Sequence, residues 1–334
     1  MLFLLACTEP AGLTDTAVSQ DSSVDSGGDS GGESGWEDLA LLAVHQLDEP
    51  CQRASTALAA RVAEDGDVWV VGVTDEGDGC IAEWSSAGIL VQDWVIAGDG
   101  FTSFGALAFD SAGRTLAAGS LVGGPGLIRV DPSDGSQEGW TVAGSEITAV
   151  AAWDEGVAAS LDGEVVILDD DLAQTSREPL VDVVRLEGQG AGLFALAADS
   201  GGLAVHGWVA EAEDFYWTSS ILTDNAGWGP AWVEDEHVHA AWVDPAGELQ
   251  TLRLGDSGTA ETDIVVGTAP AAVFAVGQSR AVYGGSAPTV VLGEQRVEVP
   301  GAVEPWAIGF SGEDLVVTGS GPDGGFHIAQ LQLP

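Results

Sequence analysis

Ala57-Leu58-Ala59-Ala60-Arg61-Val62-Ala63 runs into Glu64-Asp65-Gly66-Asp67 and then into Val68-Trp69-Val70-Val71-Gly72. Two short apolar runs, the second rich in β-branched and aromatic residues, flank a turn of acids and one glycine. That is the pattern of a β-hairpin. The same unit returns at 106–119 around Asp110-Ser111-Ala112-Gly113, and at 193–207 around Asp199-Ser200-Gly201. Looser copies turn at Asp154-Glu155-Gly156, Glu234-Asp235-Glu236, Gly277-Gln278-Ser279 and Ser311-Gly312-Glu313-Asp314.

These copies set a period. The small residues that close the second run fall between Gly72 and Gly319 at an average spacing of about 41 residues, the length of one blade in a radial repeat protein. Further apolar runs follow each copy, for example 81–84 and 89–96 after the first. The spacing predicts an all-β, seven-bladed β-propeller of four-stranded blades over residues 39–334. Near-continuous apolar strands suit blades covered on both faces. The last copy holds strands near 306–310, 315–318 and 326–333, one short of four. The orphan apolar run at 39–46 is expected to supply the missing strand and close the ring.

Composition narrows the function classes. The 334 residues carry 53 acids against nine arginines and no lysine, a formal net charge of −44. Such a chain lacks the basic face that nucleic acid or an anionic membrane surface requires. Like-charge repulsion also favours a monomer. Hydrophobic residues make up 45%, enough for a large core, and no apolar run reaches membrane-spanning length.

Residues 8–38 differ from the rest. They are rich in Asp, Ser and Gly and hold eight acids and no base, which reads as a disordered, self-repelling acidic tether. Just before them stands Leu4-Leu5-Ala6-Cys7 and then the polar Thr8. This resembles the lipobox of bacterial lipoproteins, in a signal segment (residues 1–7) lacking the basic n-region and full apolar stretch. The resemblance implies a diacylated Cys7, export, and anchoring at the outer membrane. It also implies a disulfide between the remaining cysteines, Cys51 and Cys80, because an exported chain permits one. The repeat grammar itself is similar to bacterial seven-bladed and quinoprotein-like propellers. The segment carrying that likeness is Asp131-Pro132-Ser133-Asp134-Gly135-Ser136-Gln137-Glu138-Gly139-Trp140. The WD40 type is disfavoured, since the sole Trp-Asp dipeptide, Trp153-Asp154, falls at a first turn.

Several motifs point to chemistry without the context it needs. Gly28-Asp29-Ser30-Gly31-Gly32 matches a serine-protease nucleophile signature but lies in the tether with no partner histidine motif. Gly319-Ser320-Gly321-Pro322-Asp323-Gly324 satisfies a dinucleotide fingerprint but precedes a strand, so it is expected to be a hairpin turn. His237-Val238-His239 offers two imidazoles on one strand face with no third ligand motif, and a structural role is expected. Asp169-Asp170-Asp171 reads as a solvated hairpin. No metal and no cofactor is predicted.

Tryptophan offers the remaining candidate site. Phe215-Tyr216-Trp217 and Trp228, beside Asp214, are placed in or near loops of one ring face. There they would make an aromatic platform for a protein or a glycan. Inter-blade packing is the competing use of these rings. The expected function is therefore a lipid-anchored, non-catalytic binding module. The competing readings are a scaffold in an outer-membrane assembly complex, or a propeller lactonase or lyase with inward carboxylates around a metal.

Overall fold

The structure is a computed structural model. It describes residues 39–52, 55–96, 103–121, 124–144, 147–189, 192–199, 202–209, 214–222, 227–234, 237–243, 249–254, 260–263, 274–276, 281–284, 287–292 and 295–333, with only backbone pairing from 214 to 276. Cys7 and the residues 8–38 expected to form a tether lie outside the described residues.

The chain begins with β1 (Ala40–Leu47) and then winds through four-stranded antiparallel meanders. Sheet 1 holds β2 (Ser55–Val62), β3 (Val68–Thr74), β4 (Gly79–Trp84) and β5 (Leu90–Ile96). Sheet 2 holds β6 (Ser103–Phe109), β7 (Thr115–Leu121), β8 (Gly124–Val130) and β9 (Gln137–Thr141). Sheet 3 holds β10 (Ile147–Trp153), β11 (Gly156–Leu161), β12 (Glu164–Leu168) and β13 (Gln174–Pro179). Sheet 4 holds β14 (Val183–Gln189), β15 (Gly192–Asp199), β16 (Gly202–Val209) and β17 (Asp214–Leu222). Sheet 5 holds β18 (Gly227–Glu234), β19 (His237–Val243), β20 (Leu249–Leu254) and β21 (Ala260–Asp263). Sheet 6 holds β22 (Phe274–Val276), β23 (Val282–Gly284), β24 (Thr289–Leu292) and β25 (Gln295–Glu298). Sheet 7 holds β26 (Glu304–Ser311), β27 (Asp314–Ser320) and β28 (Phe326–Gln332), with β1 as its fourth strand.

The first strands meet in order: β2 with β6, β6 with β10, β10 with β14, β14 with β18, β18 with β22, β22 with β26, and β26 with β2. The seven sheets therefore close a ring, with the first strands around its centre. Closure is made as expected from the orphan apolar run. β1 lies antiparallel to β28 from Ala40 opposite Gln332 to Leu47 opposite Phe326.

The acidic turns work as turn chemistry demands. Asp65, Asp110, Asp131 and Asp169 each accept a backbone N–H two residues on through Oδ1. Asp110 and Asp169 also take the N–H four residues on. Gly66 and Gly113 complete two of these turns at positive φ, where a side chain would be strained. The Gly319–Gly324 segment is indeed a hairpin turn, with a short 3-10 element at Pro322–Gly324.

Apolar side chains fill the seams between sheets. Trp69 and Trp94 stack at 5.5 Å against sheet 2. Trp153 and Trp208 sit in the seam between sheets 3 and 4. Among the described residues, tryptophan is thus seam filling, the competing use set out above.

Two expectations need correction. The run at 193–198 was aligned as the first strand of its repeat, but it is β15, the second strand of sheet 4. The true first strand is β14, and the sequence between it and β15, Gly190-Ala191, carries no acid, whereas the acidic Asp199-Ser200-Gly201 follows one strand later. As a result Asp214, Phe215, Tyr216 and Trp217 begin the outer strand β17, whereas Trp228 lies near the start of the inner strand β18. In a meander these positions fall at opposite ends of the ring. The backbone does not bring them to one loop cluster, and their side chains lie outside the described residues.

Candidate functional site

A recurrent irregularity shapes the centre. In six of the seven sheets the first strand has a register shift near its start, between Ala57/Ala59, Phe104/Ala106, Ile147/Ala149, Val183/Arg185, Trp228/Ala231 and Pro305/Ala307. Such a bulge bends and twists the strand locally. It also aligns the strands with one another, so equivalent positions can be compared. The residue after the shift is Ala59, Ala106, Ala149, Ala231 and Ala307, but in sheet 4 it is Arg185. Two residues on, sheets 2 and 3 carry Ala108 and Ala151, whereas sheet 1 carries Arg61 and sheet 4 carries Glu187.

These three exceptions meet. Arg61 Nη2 donates to Glu187 Oε1 at 3.4 Å, and Arg185 Nε donates to the same oxygen. β2 and β14 belong to sheets separated by two others, so a contact between them passes through the middle of the ring. Two arginines and one glutamate thus span the central channel. Glu187 is the best covered of the three, at 12% side-chain exposure. Burial pulls the Arg61 pKa down from its ordinary value, with Glu187 opposing the shift, and the guanidinium stays charged at any physiological pH.

Sequence reasoning missed this triad. A usable signal existed, since only nine arginines occur and two of them, Arg61 after Ala59-Ala60 and Arg185 after Val183-Val184, fall within apolar strand-like runs. The one-strand error in sheet 4 hid it by assigning Arg185 and Glu187 to another strand.

The predicted disulfide is present. Cys51, on the crossover from β1 to β2, bonds to Cys80 in β4, with Cα atoms 6.5 Å apart and both residues buried. That separation lies within the normal range for a cystine. His237 and His239 lie on β19, with side chains outside the described residues. Among the described residues no group of His, Cys, Asp or Glu is arranged to hold a metal. Among the described residues, the centre holds one carboxylate clamped by two guanidiniums.

Comparison with solved structures gives the same ring. The Neurospora crassa Pan2 WD40 domain superposes with a TM-score of 0.59 at 10% identity, over 83% of this chain and 89% of that one. The structure of U3-55K gives 0.58 at 15% identity, over 88% and 99%. The β-propeller domain of Myceliophteria thermophila Cps50 (Swd1) gives 0.57 at 14% identity, over 83% and 97%. The chain is a β-propeller. At such identities the likeness is one of fold. The first of the three is a WD40 domain, and the sole Trp-Asp dipeptide of the present chain sits at a first turn. No family model matches the chain. No curated protein matches it either.

Proposed function

We propose that this propeller is a non-catalytic interaction module that holds a protein partner, anchored at the cell envelope through a lipid on Cys7. The observation that carries the reading is the end of the ring where first turns and third turns gather. Asp65, Asp131 and Asp169 are fixed there by backbone hydrogen bonds, with Glu64, Asp67, Asp134, Asp170 and Asp171 beside them, while Asp110 is covered and paired with Arg114 at 2.7 Å. A rigid rim of preset carboxylates recognises a Lys/Arg-rich segment with little ordering cost. The solved propellers of similar fold support the interaction role by analogy alone. The lipobox-like Leu4-Leu5-Ala6-Cys7 and the acidic residues after it support the anchor. Diacylation would supply the two chains that stable membrane attachment needs.

The test separates the two parts. Expressed with an intact export signal, wild type should take up labelled palmitate and fractionate with membranes, and a Cys7→Ser variant should do neither. Equal membrane attachment of both refutes the anchor. For the rim, a Lys/Arg-rich peptide should bind at low salt and weaken steeply as salt rises, and a Glu-rich peptide of equal length should not bind. Equal binding of the two peptides refutes the rim.

A further inference from the structure

The central triad has hydrogen-bond donors to spare. A guanidinium presents a planar fork of N–H groups. Arg61 uses Nη2 and Arg185 uses Nε, both on a single oxygen of Glu187. Among the described residues neither arginine has another hydrogen-bond acceptor. Among the described residues at the centre, two positive charges face one negative charge, a surplus cation in an otherwise acidic molecule. The arginine side chains remain 30% and 36% exposed.

We propose that the propeller channel binds a small carboxylate between Arg61 and Arg185, with Glu187 holding the two forks in place. A guanidinium fork fits the two oxygens of a carboxylate or of a phosphate. Charge decides between them. The surplus positive charge among the described residues balances a monoanion, and the net charge of −44 opposes entry of a dianion about twice as strongly as that of a monoanion. The site is independent of the acidic rim and of the lipid anchor. Glu187 is a positioning residue, since its carboxylate meets the arginines and would repel the ligand if freed from them.

The test uses the full chain at low ionic strength, titrated calorimetrically with sodium acetate, with sodium phosphate, and with sodium chloride as the ionic-strength control. Acetate should bind saturably and raise the melting temperature beyond chloride. Arg185→Gln keeps the Arg61–Glu187 bridge, so the ring should still fold, and acetate affinity should fall by roughly tenfold or more. Arg185→Lys keeps the charge without the fork and should fall between the two. Absence of saturable acetate binding, or equal affinity in wild type and Arg185→Gln, overturns the site. Phosphate binding as tight as acetate overturns the choice of a carboxylate. A binding loss that accompanies an unfolded Arg185→Gln is resolved by Arg61→Gln, which must weaken acetate in folded protein for the proposal to stand.

Discussion

Sheet 7 meets sheet 6 through Tyr283 and His327, and meets sheet 1 through Phe326, Trp84 and the neighbouring disulfide. Phe326 and His327 are consecutive residues of β28, and strand alternation sends them to opposite seams. On the sheet 6 side a neutral imidazole donates from Nδ1 to the Ser320 carbonyl at 3.1 Å and accepts at Nε2 from the Tyr283 hydroxyl at 2.6 Å. Both residues are fully buried. On the sheet 1 side the Trp84 ring stands edge-on to Phe326 at 5.5 Å, and its Nε1 donates to the Pro50 carbonyl at 2.8 Å. Both seams are packed with apolar side chains; beyond that packing, one carries a polar pair that titrates and the other a covalent bond that does not. Closing a ring needs both a specific register and strength, and here the two demands fall on different sides of one sheet. Four perturbations break or sharpen that contrast.

Removing residues 39–47 strips both seams at once. It deletes the fourth strand of sheet 7 together with buried Leu39 and the packed Leu41, Val44 and Leu47. A loss above about 5 kcal/mol is expected, comparable with the whole stability of many domains. Chemical denaturation should show a lost or strongly shifted transition, and an unchanged midpoint would mean that β1 does not close the ring.

Reduction, or Cys80→Ser, weakens only the sheet 1 side. For a loop of 29 residues, chain entropy predicts a cost of about 3.5 kcal/mol. Urea midpoints with and without reductant measure it, and the shift should be independent of pH between 5 and 7.

The sheet 6 side should respond to acid instead. Burial pushes the His327 pKa down to about 4, from the ordinary 6.5. The unfolded chain therefore takes up the proton first. The contribution is complete above pH 6.5 and is lost as pH falls towards 4, by roughly 3 kcal/mol in all. Acidification also relieves repulsion among 53 carboxyl groups, so the readout is the difference between wild type and His327→Gln. That difference should shrink with falling pH, and a constant gap from pH 7.5 to 4.5 would refute the assignment.

The smallest effect is expected from Trp84→Phe. It keeps an edge-on ring but leaves the Pro50 carbonyl without its donor, at about 1 kcal/mol. A thermal melt resolves this, and a cost several times larger would show that the indole packs more of the seam than its hydrogen bond implies.

Much of this ring was legible in the sequence because its turns use local chemistry. Asp65, Asp110, Asp131 and Asp169 bind their own neighbours' N–H groups, so the signal needs no distant partner. The closing strand was legible as an apolar run without a hairpin mate. Sheet 4 is misread where that local code changes, in the acid-free sequence Gly190-Ala191 between β14 and β15. The channel triad was invisible for a different reason. Arg61 and Glu187 stand 126 residues apart, and only ring closure makes them neighbours. Tyr283 and His327, 44 residues apart in adjacent sheets, were hidden in the same way.

The disulfide also decides how the molecule would bear a load. Tension applied from the N-terminal side of Leu39 enters the described strands at β1, whose first pair is Ala40 with Gln332. Strand β1 would then peel from β28 one pair at a time, as a zipper opens, and not shear along its whole length. Peeling stops at Cys51, because the bond to Cys80 passes the pull into the middle of sheet 1. β1 thus acts as a sacrificial strap that yields about a dozen residues of slack, 39–50, before the remaining strands feel any force. Under reducing conditions that stop is gone, and the same pull would continue into β2.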